Sequence, residues 1–135
     1  MPMQNVSSSM QDYLEVILNL IENEETARVT DIANKLKIAK ASVNQTVNRL
    51  KRLGLVQQQA YGPVELTLKG REIAEIVRKR HRKLREFLVD VLGVEKTIAE
   101  TDACLMEHVI SVETMEKLTA FLKHCHNCYR TDGKN

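Results

Sequence analysis

The sequence predicts a mainly α fold interrupted once, near the middle, by a short two-stranded hairpin. Three observations predict it. Over most of the 135 residues, apolar side chains recur at three- and four-residue spacing, the helical period. The exception is Leu55–Leu68, where Val64, Leu66 and Leu68 alternate with Glu65 and Thr67 beside the turn residues Ala60-Tyr61-Gly62-Pro63, the pattern of paired strands. Helix punctuation stands at the breaks, with Thr30, Thr67 and Ser111 before apolar runs and Gly54 and Gly93 after them.

The first helix is expected from about Ser7 to Asn23. Met10, Leu14, Ile17, Leu18 and Ile21 form one apolar stripe, and Tyr13, Val16 and Leu20 form a second on another side, so the helix touches two surfaces. A short helix follows, capped by Thr30 and ending near Lys37. A third spans about Lys40–Leu53, with Val43, Val47 and Leu50 inward and Gly54 as its left-handed cap. The strands are Leu55–Gln59 and Val64–Leu68. Thr67 then caps a long helix to about Leu92, with a core stripe of Ile73, Ile76, Val77, Leu84, Phe87, Leu88 and Val91. Helices at about Glu95–Val109 and Val112–Cys125 complete the chain. This divides it into a domain of residues 1–72 and a helical domain of residues 73–135.

Composition narrows the function. A chain 43% hydrophobic and 28% charged has too much apolar content to be a disordered tail. No stretch approaches the ~18 consecutive apolar residues of a membrane helix, and the polar start MPMQNVSSS lacks a signal-peptide core. The expectation is a soluble, cytoplasmic protein whose three cysteines, Cys104, Cys125 and Cys128, are reduced thiols. Five scattered glycines exclude a phosphate-cradling loop, and three Tyr, two Phe and no Trp argue against a platform for stacking bases. The net charge of +2 is uneven: 7 basic against 6 acidic groups over residues 1–54, 8 against 5 over 55–93, and 5 against 7 thereafter. A basic front suits an anionic partner.

Helix, short helix, turn, helix and hairpin is the order of a winged helix-turn-helix, whose third helix enters the major groove of double-stranded DNA. With Val43, Val47 and Leu50 inward, the residues assigned to DNA are Lys40, Ala41, Ser42, Asn44, Gln45, Thr46, Asn48, Arg49 and Lys51. Ser, Asn, Gln and Thr donate and accept in fixed geometry, and Gln45 suits an adenine edge. Lys40, Arg49, Lys51 and Arg52 suit phosphates. The run Arg78-Lys79-Arg80-His81-Arg82-Lys83-Leu84-Arg85 resembles a nucleic-acid patch, but its mid-helix position favours a solvated basic face.

The second half carries a metal signal. At about 100° per residue, Cys104, Glu107 and His108 share one arc of about 100°, opposite Ile98, Leu105, Val109 and Ile110. Side chains at i, i+3 and i+4 can converge on one ion. The competing reading is a polar face with a stray thiol. Cysteine prefers burial, so one placed among Glu100, Glu107 and His108 favours the ligand reading. Taken alone, His81 reads as a hydrogen-bonded core histidine, and Asp12 with Glu15 as a solvated acidic pair.

Together these elements form a pattern. Asp12-Tyr13-Leu14-Glu15, Val29-Thr30-Asp31-Ile32-Ala33, Leu66-Thr67-Leu68-Lys69-Gly70, Arg80-His81-Arg82 and Cys104-Leu105-Met106-Glu107-His108-Val109-Ile110-Ser111 resemble the diphtheria toxin repressor family of metal-dependent regulators. The resemblance covers about residues 8–122. It implies a winged helix-turn-helix followed by a helical dimerisation domain, a homodimer on operator DNA, and a divalent cation as corepressor. It further implies metal ligation by Asp12, Glu15, His81, Cys104, Glu107 and His108. Five of these match the family's manganese branch, whereas Cys104 stands where that branch has a carboxylate and the iron branch a cysteine. Arg85 replaces a carboxylate of the iron branch's ancillary site, and the two-domain form lacks the SH3-like domain of longer members. Oxygen and nitrogen ligands suit Mn²⁺ and Fe²⁺, while a thiolate favours Fe²⁺, Co²⁺ or Zn²⁺. The expectation is Mn²⁺ or Fe²⁺, one or two ions per subunit, in a repressor of metal-uptake genes that is not an enzyme.

His124-Cys125-His126-Asn127-Cys128 has the spacing of half a zinc site, but no second Cys-x-x-Cys completes it, and a frayed tail is favoured. Two alternatives carry distinct signatures. A thiol redox-responsive winged-helix regulator would use Cys104 or the Cys125/Cys128 pair without metal. A non-haem metal enzyme would leave the helix-turn-helix unexplained.

Overall fold

The computed structural model describes the backbone over residues 6–133 and side chains over residues 6–124; the Cys125, His126 and Cys128 part of the tail motif lies outside the described side chains. The order is α1 (Ser8–Glu24), α2 (Val29–Leu36), α3 (Lys40–Arg52), β1 (Val56–Gln58), β2 (Val64–Leu66), α4 (Leu68–Glu86), a π-helical turn (Phe87–Val91), α5 (Lys96–Met106) and α6 (Val112–Gly133). The chain forms two compact units, Met1–Val77 and Arg78–Asn135. The division falls within α4, as does the expected domain boundary after residue 72.

In the first unit, Ser7 caps α1 by accepting from the Met10 N–H at 3.2 Å, and both apolar stripes are used: Leu14, Ile17 and Leu18 are fully buried, with Tyr13 and Leu20 close behind. Thr30 is not the cap of α2. That place belongs to Arg28, whose N–H donates to the Asp31 carboxylate at 3.1 Å; an anion at the third helical residue is favoured near the positive end of the helix dipole. Val43, Val47 and Leu50 of α3 are buried as expected, and Gly54 follows it in the left-handed region at φ +74°. The wing is shorter than expected at both ends. β1 and β2 pair antiparallel with Val56 opposite Leu66 and Gln58 opposite Val64. Leu68 does not continue the alternation; it opens α4 and is 78% exposed. The cause is Thr67, which donates to the Gly54 carbonyl at 2.7 Å and accepts from the Gly70 N–H at 3.1 Å, ending the strand and capping the helix. Gly70 permits this packing, because a Cβ there would stand 1.9 Å from the Leu55 carbonyl oxygen.

The second unit has a smaller core of Leu84, Leu88, Ala99, Ala103 and Met115, flanked by Phe87, Val94, Met106 and Leu118. The long helix does not run regularly to Leu92. It widens into the π turn, where the Leu92 N–H donates to the Phe87 carbonyl at 3.1 Å, and Phe87 packs edge-on against Phe121 at 6.1 Å. Ile76, expected in the core stripe, is 37% exposed. α5 ends at Met106 rather than Val109, so Glu107 is its C-cap and His108 lies in the following turn. Ser111 caps α6, accepting from the Thr114 N–H at 3.1 Å.

Candidate metal centre and nucleic-acid interface

The turn after α5 overturns the simple helical-wheel picture of the ligand face. Glu107 is not on a polar surface: it is fully buried. Ala99 and Ala103 are buried in the core, while Ile98, Leu105 and Val109, opposite the ligand arc on the helical wheel, are exposed. Ligand atoms of His81, Cys104 and Glu107 lie within 4.8 Å of one another. A ligand nitrogen of His108, itself half-buried, also lies within that distance of a Glu107 oxygen. The expected ligands of the second unit therefore gather around one carboxylate. Asp12 and Glu15 are half-buried, one turn apart on α1 of the first unit.

The electrostatics are unusual. Neither Glu107 carboxylate oxygen has a hydrogen-bond partner, nor does the equally buried Nδ1 of His81. His81 Nδ1 stands 3.4 Å from Glu107 Oε1, an ion pair without hydrogen-bond geometry, while its Nε2 is 2.7 Å from Glu100 Oε1. The Glu107 carboxylate, aided by Glu100 and opposed by burial, raises the His81 pKa to about 9. At neutral pH the ring is thus a cation, and ligation through Nδ1 must displace a proton. A buried carboxylate without hydrogen bonds is costly unless a cation compensates it. Carboxylate oxygen, imidazole nitrogen and thiolate sulfur are divalent-cation donors. The donor set fits a metal ion.

Sequence reasoning sets Glu100 beside Cys104 on one helix face but gives it no role, and its contact with His81 appears only in the structure. Glu100 lies one turn before Cys104 on α5, and that i, i+4 relation is the signal that points to it. The basic run is also more than a solvated face, since Arg80 donates to the Glu107 carbonyl at 3.4 Å and Arg85 pairs with Glu100 at 3.7 Å.

On α3, the outward residues Lys40, Ala41, Ser42, Asn44, Gln45, Asn48 and Arg49 are exposed, with Thr46 and Lys51 half-buried. Residues 5–64 match the family model described as the iron-dependent repressor N-terminal DNA-binding domain, and residues 67–134 match the iron-dependent repressor metal-binding and dimerisation domain. The chain belongs to the iron-dependent repressor family. Members of this iron-dependent repressor family are DNA-binding transcriptional regulators, and the chain accordingly combines a winged-helix front that binds DNA with a helical region that binds metal and dimerises.

Among relatives, the chain is 35% identical over 119 residues to an uncharacterized HTH-type transcriptional regulator of Methanocaldococcus jannaschii, covering 87% of this chain and 95% of that one. It is 38% identical over 112 residues to the transcriptional regulator MntR of Salmonella typhimurium, covering 83% and 71%. A solved manganese-dependent transcriptional repressor in complex with manganese superposes with a TM-score of 0.77 at 31% identity. That likeness covers 84% of this chain but only 52% of the solved one, so the chain spans about half the length of that repressor. None of these likenesses supports the redox-regulator or enzyme alternatives. No described helix is long and apolar enough to cross a membrane.

Proposed function

We propose that the chain is a dimeric cytoplasmic repressor of metal-uptake genes, with Mn²⁺ or Fe²⁺ as its corepressor. One observation carries the reading: a fully buried Glu107 carboxylate without hydrogen bonds, beside His81 and Cys104. His81, Cys104, Glu107 and His108 hold the ion from the second unit, and Asp12 and Glu15 supply the remaining ligands from α1. When bound, the cation supplies the positive charge that the buried carboxylate otherwise draws from protonated His81. Cys104 is the one soft donor in this set and favours Fe²⁺ over Mn²⁺ relative to a carboxylate at that position. Ligands drawn from both units restrict their relative motion and favour the arrangement that fits two half-sites of an operator, one helical turn (~34 Å) or a multiple apart. Gln45 and its neighbours on α3 read base edges, and Lys40, Arg49 and Lys51 bind phosphates. The exposed Ile98, Leu105, Val109 and Phe121 supply apolar surface for the second copy.

Such coupling requires little energy; a tenfold gain in DNA affinity corresponds to about 1.4 kcal/mol, and operator must tighten metal binding by the same factor. The test is operator affinity with and without Mn²⁺ or Fe²⁺. Chelation is expected to leave a folded helical dimer that binds operator at least about fivefold more weakly, the low end of usual coupling. Full-strength binding by metal-free protein would sink the corepressor role.

A further inference from the structure

The outer side of His81 carries an arrangement that metal ligation alone does not use. His81 and Arg85 are one turn apart on α4, and Glu100 and Cys104 are one turn apart on α5. Glu100 meets both residues of α4, with Oε1 2.7 Å from His81 Nε2 and Oε2 3.7 Å from Arg85 Nε. The His81 side chain is 14% exposed, whereas those of Glu100 and Arg85 are 55% and 52% exposed. Glu100 therefore has water for its charge and, unlike Glu107, no need of a cation.

An ionised carboxylate only accepts. Facing Nε2 at 2.7 Å, it requires the proton on that nitrogen, so the proton that metal ligation displaces is the one on Nδ1, on the buried side where Glu107 and Cys104 lie. An imidazole without this partner is free to exchange tautomer or turn over, and its wrong nitrogen then meets the ion. We propose that Glu100, steadied by Arg85, is a positioning residue that holds His81 with Nε2–H outward and Nδ1 toward the metal-ligating groups. The role rests on the metal-regulator reading above. Glu100 acts through His81 and is not itself a ligand. The exposed Arg85–Glu100 pair is worth little alone; its part is to occupy the second carboxylate oxygen.

The test joins spectroscopy to binding. In protein loaded with Zn²⁺, the long-range ¹⁵N–¹H spectrum of His81 should show protonated Nε2 and metal-bound Nδ1. In metal-free protein, at a pH where the same spectrum shows the ring to be neutral, the Nε2–H tautomer should dominate. Glu100→Ala should mix the tautomers and weaken Mn²⁺ binding about tenfold to hundredfold, the usual effect of losing such a partner. Glu100→Gln keeps an acceptor for Nε2–H and should recover most of that loss, while Arg85→Ala should cost less than about fivefold, as befits an exposed pair. Unchanged tautomer and affinity in Glu100→Ala would overturn the positioning role. So would a Glu100→Gln as weak as Glu100→Ala, which would make Glu100 a ligand. If the wild-type chain took up no Mn²⁺, the metal-regulator reading would fail, and the tautomer of the metal-free protein would still decide what Glu100 does.

Discussion

The DNA-binding unit encloses a continuous aliphatic core, with Leu14, Ile17, Leu18, Ile32, Val43, Val47, Leu50, Leu55 and Ile73 essentially inaccessible. The metal-binding unit buries Leu84, Leu88, Ala99, Ala103 and Met115, and with them a carboxylate. It also leaves Ile98, Leu105, Val109 and Phe121 at 52%, 67%, 82% and 42% exposure. In the first unit, nearly every apolar side chain that the helical period directs inward finds a neighbour from the same unit. In the second, several described apolar side chains remain exposed while a charged residue, Glu107, lies in the interior. Elements that respond to ligands come from the less stable part of a structure. The lesson is that the unit which reads DNA is built to be constant, and the unit which senses metal is built to depend on what it binds.

Three experiments can break or sharpen that contrast. The largest effect is expected in the constant unit. Leu50→Ala deletes a fully buried side chain of α3 and should cost about 2–5 kcal/mol of stability by transfer and cavity effects, measured by urea denaturation. The loss should be the same with Mn²⁺ and with chelator; a loss that the metal repaired would show the first unit's core to be ligand-dependent after all.

A smaller effect is expected in the responsive unit. At a free Mn²⁺ concentration of about 100 times Kd, wild-type stability should rise by about 2.7 kcal/mol through mass action. Glu107→Gln keeps the shape but removes the charge, and should abolish this gain. Thermal melts with and without metal decide it, and an undiminished gain in the variant would exclude Glu107 from the ligand set.

The smallest effect concerns DNA recognition and leaves stability untouched. Gln45→Ala on the exposed face of α3 should weaken operator binding by about 1–3 kcal/mol while leaving random duplex unaffected. Lys40→Ala should weaken both and reduce the salt slope by about one. Titrations at several salt concentrations separate the two, and equal losses on both duplexes for Gln45→Ala would remove α3 from base reading.

Most of the first unit is legible in the sequence because its information is local. The periodic burial of Val43, Val47 and Leu50, the cap at Thr67 and the alternation in the wing each involve residues a few positions apart. Departures there are local too, as where Asp31 moves the start of α2 to Arg28. The types and spacing of Cys104, Glu107 and His108, and the family pattern they share with Asp12, Glu15 and His81, are likewise carried by the chain itself. What only tertiary structure decides is the environment of those groups. A helical wheel treats Glu107 as one more polar residue beside Cys104, yet the helix ends at Met106 and the Glu107 carboxylate is buried without a hydrogen bond. Glu100 and Arg85 read as surface charges until α4 and α5 are packed together, when they become partners of each other and, for Glu100, of His81. Ligand identity is written in the chain as residue type and spacing. The desolvation and side-chain orientation that would make those residues bind arise from neighbours distant in sequence, which a reading along the chain cannot assemble.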